Sequence, residues 1–451
     1  MRSTTKHLSS PLLGRFVACL FLLATACVAH GEDDPGRRLR RSPIVEAYES
    51  AKDSLVNLSA TQRVVVDRWG MNLFGDVFRI PGEHSESSVG SGFVIHEDGF
   101  IVTNAHVVSS GTELRVTFAD GSEHEARVVA RDTERDLAVI KIEADGPLKP
   151  IRLGRSHDLM IGERTIAVGN PVGLQNTVTT GVISALHREL PIGGNVLYRD
   201  VIQTDASINP GNSGGPLLNV LGELIGINTA VRTDAQNIGF AIPVDQLHDI
   251  LPDMLNPETL TKVQLGLRVS GRDPGRVVGI DEESPADRAG VRLGDKLLTI
   301  NGENIVCGVD FYVEMLRHQA GDRVVVRLER DGKVTESSID LMAVPKPDGL
   351  RLARERLGIE VANANHQVVR KLGWKPRQGV IVVTVEADSP ADRADIRPGD
   401  LMVSMGQYWL RDVDQVGALL AHVHTGDPVD LGIRRMVRRS IYGGEVRLRA
   451  R

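Results

Sequence analysis

Cysteine is nearly absent. The 451 residues contain three, and Cys19 and Cys27 both sit in one apolar run near the N-terminus, so removal of that run leaves Cys307 alone. A single cysteine closes no intramolecular disulfide, and a chain exported without such staples has to fold on buried apolar cores. Cys307 is therefore expected as a packed residue rather than a nucleophile. A basic excess is missing as well. Lys plus Arg number 53 against 59 Asp plus Glu, for a net charge of -6 and a pI near 6.1, which removes the electrostatic footprint of a nucleic-acid binder. No His-Glu-x-x-His or Cys-x-x-Cys pattern suggests a zinc site, and His422 and His424 read as an exposed pair. There is no phosphate-binding loop either, so any chemistry is expected to be ATP-independent and without a cofactor.

Apolar runs of membrane-spanning length are also lacking. The longest, "FVACLFLLATACVA", follows Arg2, Lys6 and Arg15 and ends in small residues before His30. This is the layout of a secretory signal peptide, with cleavage expected near Ala29. The run is short for a span, and an uncleaved anchor or a lipid on Cys27 are the alternatives. The expected location is exported and periplasmic.

What remains is long enough for roughly three domains of about 150 residues. The stretch "GEDDPGRRLRRS" at 31–42 reads as an exposed linker. It precedes "SPIVEAYESAKDSLVNL", a short helix with Val45, Tyr48 and Leu55 on one face, entered through Ser-Pro and feeding a strand. From 89 to 250 short Val- and Ile-rich runs alternate with Gly, Asp and Asn, and Asp-Gly pairs at 98–99 and 120–121 sit between strand-like segments. Asp-Gly between strands is the strongest short-range hairpin signal, so an all-β barrel or sandwich is expected. In the last third "SPADRAGVRLGD" at 284–295 returns as "SPADRADIRPGD" 105 residues later, with nine of twelve positions identical. "LGLRV" at 265 and "LGIEV" at 357 open the two copies. A period near 100 residues exceeds any solenoid unit, so the reading is a small domain in tandem, joined through "VPKPDG" at 344–349.

One stretch invites chemistry: "NPGNSGGPL" at 209–217 places Ser213 among three glycines. A surface turn explains such a stretch equally well, unless a partner base exists. A serine hydroxyl becomes a nucleophile when an imidazole takes its proton and a buried carboxylate orients that imidazole. "TNAHVV" supplies His106 at the end of a strand-like run, and "RDLAVIKI" supplies Asp136 at the entrance to an apolar strand. The order His106, Asp136, Ser213 is that of chymotrypsin-type enzymes. The pattern Gly-x-Ser-x-Gly is also satisfied, but the segment after Ser213 reads as strand, turn, strand rather than the helix that an α/β-hydrolase requires.

The ordered segments "VGSGFVI", "IVTNAHVV", "RDLAVIKI", "AVGNPVGL", "TVTTGVISAL", "IQTDASINPGNSGGPL", "GELIGINTA" and "IGFAIPV" resemble the trypsin-like domain of the HtrA/Deg serine proteases. The tandem copies are similar to that family's PDZ domains. The resemblance implies a mainly β fold: a chymotrypsin-like double β-barrel at 63–255, then two small α+β PDZ domains at 262–345 and 350–451, after a signal peptide at 1–29 and a linker with a helix at 30–62. It implies Ser213 as nucleophile, His106 as general base and acid, and Asp136 as orienter, with the Gly211, Asn212 and Ser213 backbone as oxyanion hole. Ser207 stands where enzymes that cut after Arg or Lys carry Asp. Ile208, Ala230 and Val231 are implied as walls of a primary specificity pocket for Val, Ala or Leu.

Regulatory features follow from the same resemblance. Arg188 falls where the family's sensor loop carries an arginine, with 187–200 as that loop. The segment around Trp69, Phe74 and Phe78 is brief for the family's long regulatory loop, so those rings are expected between subunits of a trimer or in an internal cluster. The implied assembly is a homotrimer or a multiple of trimers. Leu265, Gly266 and Leu267 are implied to capture the C-terminal carboxylate of a hydrophobic peptide, with Leu357, Gly358 and Ile359 as counterparts. In the second copy Gly290 has become Asp395 and the distal strands look irregular, which suits assembly better than capture. The implied activity is ATP-independent endoproteolysis of unfolded or misfolded proteins; the alternative is a holdase chaperone or PDZ scaffold whose triad is seldom assembled.

Overall fold

The computed structural model describes residues 35–71, 77–109, 113–169, 177–192, 196–231, 237–364, 379–437 and 440–451. Side chains are described for all of these except Pro35, 62–87, 191–192, 196–197 and 230–231. The signal-peptide expectation, and Phe74, lie outside the described residues. The linker holds a short exposed helix, Pro35–Leu39, where only an extended tether was expected. The next helix, Pro43–Ala51, is entered as its sequence dictates: Ser42 caps it by accepting from the Val45 N–H, and Pro43 occupies a first-turn position that needs no N–H. Its buried face is Ala47 and Ala51, while Val45 stays exposed. The expected Val45 stripe is thus corrected: small residues let this helix lie close to the barrel core.

Two closed six-stranded barrels follow. The first comprises β1 (Leu55–Met71), β2 (Val77–His96), β3 (Phe100–Thr103), β4 (Glu113–Phe118), β5 (Glu123–Asp132) and β6 (Leu137–Ile142), in the order β1-β2-β3-β6-β5-β4. Its first strand begins at Leu55, upstream of the expected boundary at 63. β1 pairs with β2 along its whole length, from Leu55 opposite Phe93 to Met71 opposite Val77. The segment expected as a brief loop is therefore largely a β-hairpin; it carries Trp69 and Phe78, whose side chains are not among those described. Both Asp-Gly pairs turn hairpins, with Gly99 and Gly121 at φ 91° and 88°, a conformation that favours glycine. The second barrel comprises β7 (Arg164–Gly169), β8 (Thr177–Ile192), β9 (Val196–Thr204), β10 (Pro216–Leu218), β11 (Leu224–Val231) and β12 (Gly239–Pro243), ordered β10-β11-β12-β9-β8-β7. The helix Val244–Met254 closes it, burying Val244, Leu247, Ile250 and Leu251.

The first repeat copy contains β13 (Val263–Gln264), β14 (Leu267–Val269), β15 (Val277–Ile280), β16 (Lys296–Ile300), β17 (Glu303–Asn304), β18 (Arg323–Arg330), β19 (Lys333–Asp340) and β20 (Met342–Ala343). The helix Gly308–Met315 packs within it. One hydrophobic core runs from the barrels into this copy, from Ala47 to Leu341, and Met1–Ala343 forms one compact unit. Cys307 is packed here, and burial pushes its thiol up to about 12, with Asp310 adding to the effect. The second unit, Val344–Arg451, has its own core. It is built on a sheet of β21 (Ile359–Asn363), β22 (Val380–Val385), β23 (Leu401–Met405), β24 (Tyr408–Trp409), β25 (Pro428–Val437) and β26 (Ser440–Arg449). Its distal strands are regular: β25 and β26 pair without a break from Pro428 opposite Arg449 to Val437 opposite Ser440, which corrects the expected irregularity. His422 and His424 are exposed, and His424 faces Asp427 at 3.5 Å.

Candidate active site

His106 follows β3, and Asp136 precedes β6 in the left-handed region at φ 56°, which Asp tolerates better than most residues. That backbone is pinned through its carbonyl, which accepts from the Ala105 N–H at 3.1 Å and from Asn104 Nδ2 at 2.9 Å. The Asp136 carboxylate, only 5 % exposed, then reaches His106 twice: Oδ1 accepts from the backbone N–H at 2.9 Å and Oδ2 meets ring Nδ1 at 2.8 Å. Two further hydroxyls donate to the same Oδ2, Tyr198 of β9 at 2.7 Å and Thr229 of β11 at 3.1 Å. Burial acts to raise the Asp136 pKa. The hydrogen bond and charge of His106, with the Tyr198 hydroxyl, outweigh it and hold the carboxyl below its ordinary value. Burial, with the Asp136 charge beside it, pushes the Tyr198 phenol well above its ordinary range, so Tyr198 acts only as a neutral donor.

Ser213 lies between the barrels. Its carbonyl accepts from the Ser91 N–H of β2 at 2.9 Å, and the Ser91 hydroxyl donates to the Gly211 carbonyl at 2.7 Å. Gly211 and Gly214 take φ of 101° and 82°. At Gly214 a Cβ would stand 2.2 Å from Thr103 Oγ1 and 2.3 Å from the Ser91 carbonyl oxygen, so the turn tolerates no side chain there. Of the three expected oxyanion donors, the Asn212 N–H is already spent on the Asn209 carbonyl at 2.9 Å. The N–H groups of Gly211 and Ser213 have no partner among the described residues. The expected three-donor hole is thereby reduced to two free donors. Ser213 Oγ donates to the Thr229 carbonyl at 3.0 Å, and no hydrogen bond among the described residues joins it to His106. Thr229 therefore touches both halves of the site, its carbonyl holding Ser213 and its hydroxyl holding Asp136.

The remaining expected residues are less gathered. Ile208 is buried beside Gly239, where a Cβ would come within 2.5 Å of Ile208 Cγ1. Ala230 and Val231 fall at the end of β11, with side chains outside the described residues. Arg188 sits on β8 opposite Val201, its exposed side chain without a hydrogen bond or ion pair among the described residues. Instead of an irregular loop at 187–200, β8 and β9 make a hairpin whose register slips three times between Ile183 and Leu190. His187 and Asp200, both at positive φ, pair across it at 2.5 Å. Tyr198 and Thr229 escaped the reading of the sequence because a hydroxyl within a strand carries no motif. The polar pair Asn228 and Thr229 in an otherwise apolar β11 run was the available signal.

In the first repeat copy, Leu265 and Leu267 are buried and Gly266 takes φ 67°. In the second, Gly358 takes φ 74°, and its N–H is used to end the helical turn before it, donating to the Arg354 carbonyl at 3.1 Å.

Comparison with known proteins follows these boundaries. A model of the trypsin-like peptidase domain matches residues 90–227, and a model of the PDZ domain matches 263–341 and 355–446. The chain is 37 % identical over 349 residues to a probable periplasmic serine endoprotease DegP-like of Chlamydia trachomatis serovar D, covering 73 % of this chain and 69 % of that one. It is 35 % identical over 376 residues to the protein of the same description in Halomonas elongata, covering 78 % of each. A solved structure, the HtrA-type protease AlgW with decapeptide, is 32 % identical, covering 67 % of this chain and 99 % of that one at a TM-score of 0.40.

Proposed function

The chain belongs to the HtrA/Deg family of serine proteases and is a serine endopeptidase, and we propose that Ser213, His106 and Asp136 carry its catalysis on unfolded polypeptides in the periplasm. The observation that carries this assignment is the 2.8 Å contact of His106 Nδ1 with an Asp136 carboxylate that is buried and fully engaged. Asp136 fixes the tautomer in which Nε2 is the free base and stabilises the imidazolium that forms when Ser213 yields its proton. Ser213 Oγ attacks the scissile carbonyl, and the oxyanion is met by the Gly211 and Ser213 N–H groups. His106 then returns the proton to the leaving amine, and water repeats the sequence on the acyl-enzyme. Ile208 supports an aliphatic residue before the cut. The PDZ copies are proposed to regulate this activity by binding hydrophobic C-terminal peptides, and the assembly is proposed as a trimer or a multiple of trimers.

One observation favours the holdase reading as a resting state. Ser213 Oγ is turned to the Thr229 carbonyl, so attack requires a rotation about its χ1 toward His106. Casein digestion by the purified mature protein, with and without peptides ending in hydrophobic free carboxylates, separates the two readings. Cleavage by the wild type and none by Ser213→Ala is the expected result. Suppressed aggregation with no cleavage under any condition overturns the protease reading of the intact chain.

A further inference from the structure

The carboxylate loop of the first PDZ copy is not empty of carboxylate. The Gly266 N–H, at the centre of the Leu265–Leu267 loop, donates to Glu258 Oε1 at 3.1 Å. Glu258 lies on a one-turn helix, Pro257–Leu260, capped by Asn256 through its bond to the Glu258 N–H. Its side chain thus comes from outside the PDZ fold and ends on the backbone group that a ligand's terminal carboxylate needs.

The strand beside the loop is occupied too. β14 pairs with β15 along one edge only, leaving the other edge for strand addition. On that edge the Tyr312 hydroxyl takes both groups of Val269: the Val269 N–H donates to it at 3.1 Å, and it donates to the Val269 carbonyl at 2.9 Å. One phenol therefore reproduces the pair of ladder bonds an added strand would make. Tyr312 is 3 % exposed and stacks edge-on against Phe311 at 4.9 Å. Its helix, Gly308–Met315, abuts the strand so closely that a Cβ on Gly308 would stand 2.4 Å from the Ser270 carbonyl oxygen.

We infer that the first PDZ copy fills its own peptide groove, with the Glu258 carboxylate in place of a ligand's C-terminus and the Tyr312 hydroxyl in place of its backbone. This inference rests on the reading of Leu265–Leu267 as the carboxylate-capturing loop. A tethered carboxylate acts at an effective concentration on the order of millimolar, so it needs little intrinsic affinity to exclude weak ligands. The apparent affinity for a peptide falls by the fraction of molecules in which the plug is open. The groove thereby selects partners that bring both a free carboxylate and a strand able to displace Tyr312. The second copy has a different arrangement, since its Gly358 N–H is held by the chain's own Arg354 carbonyl and not by a side chain that can swing away.

The test uses the full chain carrying Ser213→Ala, so that the probe survives, and a fluorescent decapeptide ending in valine as free acid or as amide. Glu258→Ala is expected to tighten binding of the acid by about 10-fold or more, equal to about 1.4 kcal/mol, and to leave the amide unchanged. Tyr312→Phe, which keeps the ring and deletes the hydroxyl, is expected to tighten both forms. Equal affinity of the acid for the parent and for Glu258→Ala overturns the plug. If acid and amide bind alike in the parent and in both variants, the loop is not a carboxylate site and the underlying reading fails as well. Should Tyr312→Phe lose its fold, Glu258→Ala still decides, because it alters a partly exposed side chain outside the domain.

Discussion

Asp136 accepts more than an orienting carboxylate requires. Besides His106, the hydroxyls of Tyr198 and Thr229 converge on one of its oxygens, and Tyr198 itself lies within the segment 187–200 proposed as the sensor. We expect Tyr198→Phe to lower kcat by about 10-fold, the size of one lost hydrogen bond to a charged group, with little change in KM. The donor lowers the carboxyl pKa, so its removal raises it, and the acidic limb of kcat/KM that reports the Asp136–His106 pair moves to higher pH. An unshifted limb with a depressed Tm would reduce Tyr198 to a structural role. Ser213→Ala is expected to cost on the order of a million-fold in kcat and Asp136→Asn about 10⁴-fold, both per folded molecule. The three residues were legible because their order and flanking strands are specific. Tyr198 and Thr229 were not, since what makes them functional is a distance across the barrel and not a pattern along the chain.

Among elements, the loop bearing Ser213 owes its shape to a neighbouring strand. Ser91 grips it at both ends, by its hydroxyl at the Gly211 carbonyl and by its N–H at the Ser213 carbonyl. Ser91→Ala leaves a buried carbonyl unpaired at a cost of about 1–3 kcal/mol, and we expect lower kcat together with a lower Tm. The glycines of this loop were legible as a backbone requirement, but the clamp was hidden because Ser91 lies 120 residues away in the chain. The repeated domains show a second element-scale device. Asp295 and Asp400 are each 1 % exposed and receive paired guanidinium bonds from Arg330 and Arg435 respectively. In the second copy Asp395 keeps the left-handed turn of Gly290, at φ 56° against 79°, and adds its own pair to Arg435 at 3.1 Å. The repeat was visible in "SPADR" and "GD", whereas the arginine that answers each aspartate lies 35 residues on in strands of dissimilar sequence.

That device gives a pH-dependent stability of known sign. Burial acts to raise the Asp295 pKa, but the Arg330 bonds and the Arg292 N–H outweigh it and hold the carboxyl below its ordinary 3.8. Its contribution is therefore complete above that value and is lost as pH falls through the lower folded-state value. Arg330→Met strands a buried carboxylate and is expected to cost about 3 kcal/mol at neutral pH. Without the guanidinium, burial pushes the stranded carboxyl upward, so the deficit relative to wild type should begin to shrink on acidification already above the ordinary carboxyl value, as that group takes up a proton. A deficit that is constant with pH would show that the guanidinium acts by packing alone.

For the molecule as a whole, sequence similarity and folding units divide the chain differently. Three domains are readable in the sequence, yet the barrels and the first PDZ copy share one apolar core, and ion pairs reinforce the joint. Arg272 reaches Asp245 and Asp249 on the helix that closes the second barrel, and Arg317 reaches Asp98 at a hairpin of the first. Residues 344–451 have a core of their own. A shared core unfolds cooperatively, while separate cores need not. Calorimetry of the full chain is therefore expected to show two transitions, one for Met1–Ala343 and one for Val344–Arg451. A chain ending at Ala343 should retain the first transition within about 2–4 °C, the shift expected for no more than about 1 kcal/mol in a unit of this size, and should cleave a short chromogenic peptide at the parental kcat. Three transitions would mean that the first PDZ copy and the barrels fold independently, and the apolar contacts between them would then contribute too little to couple their unfolding.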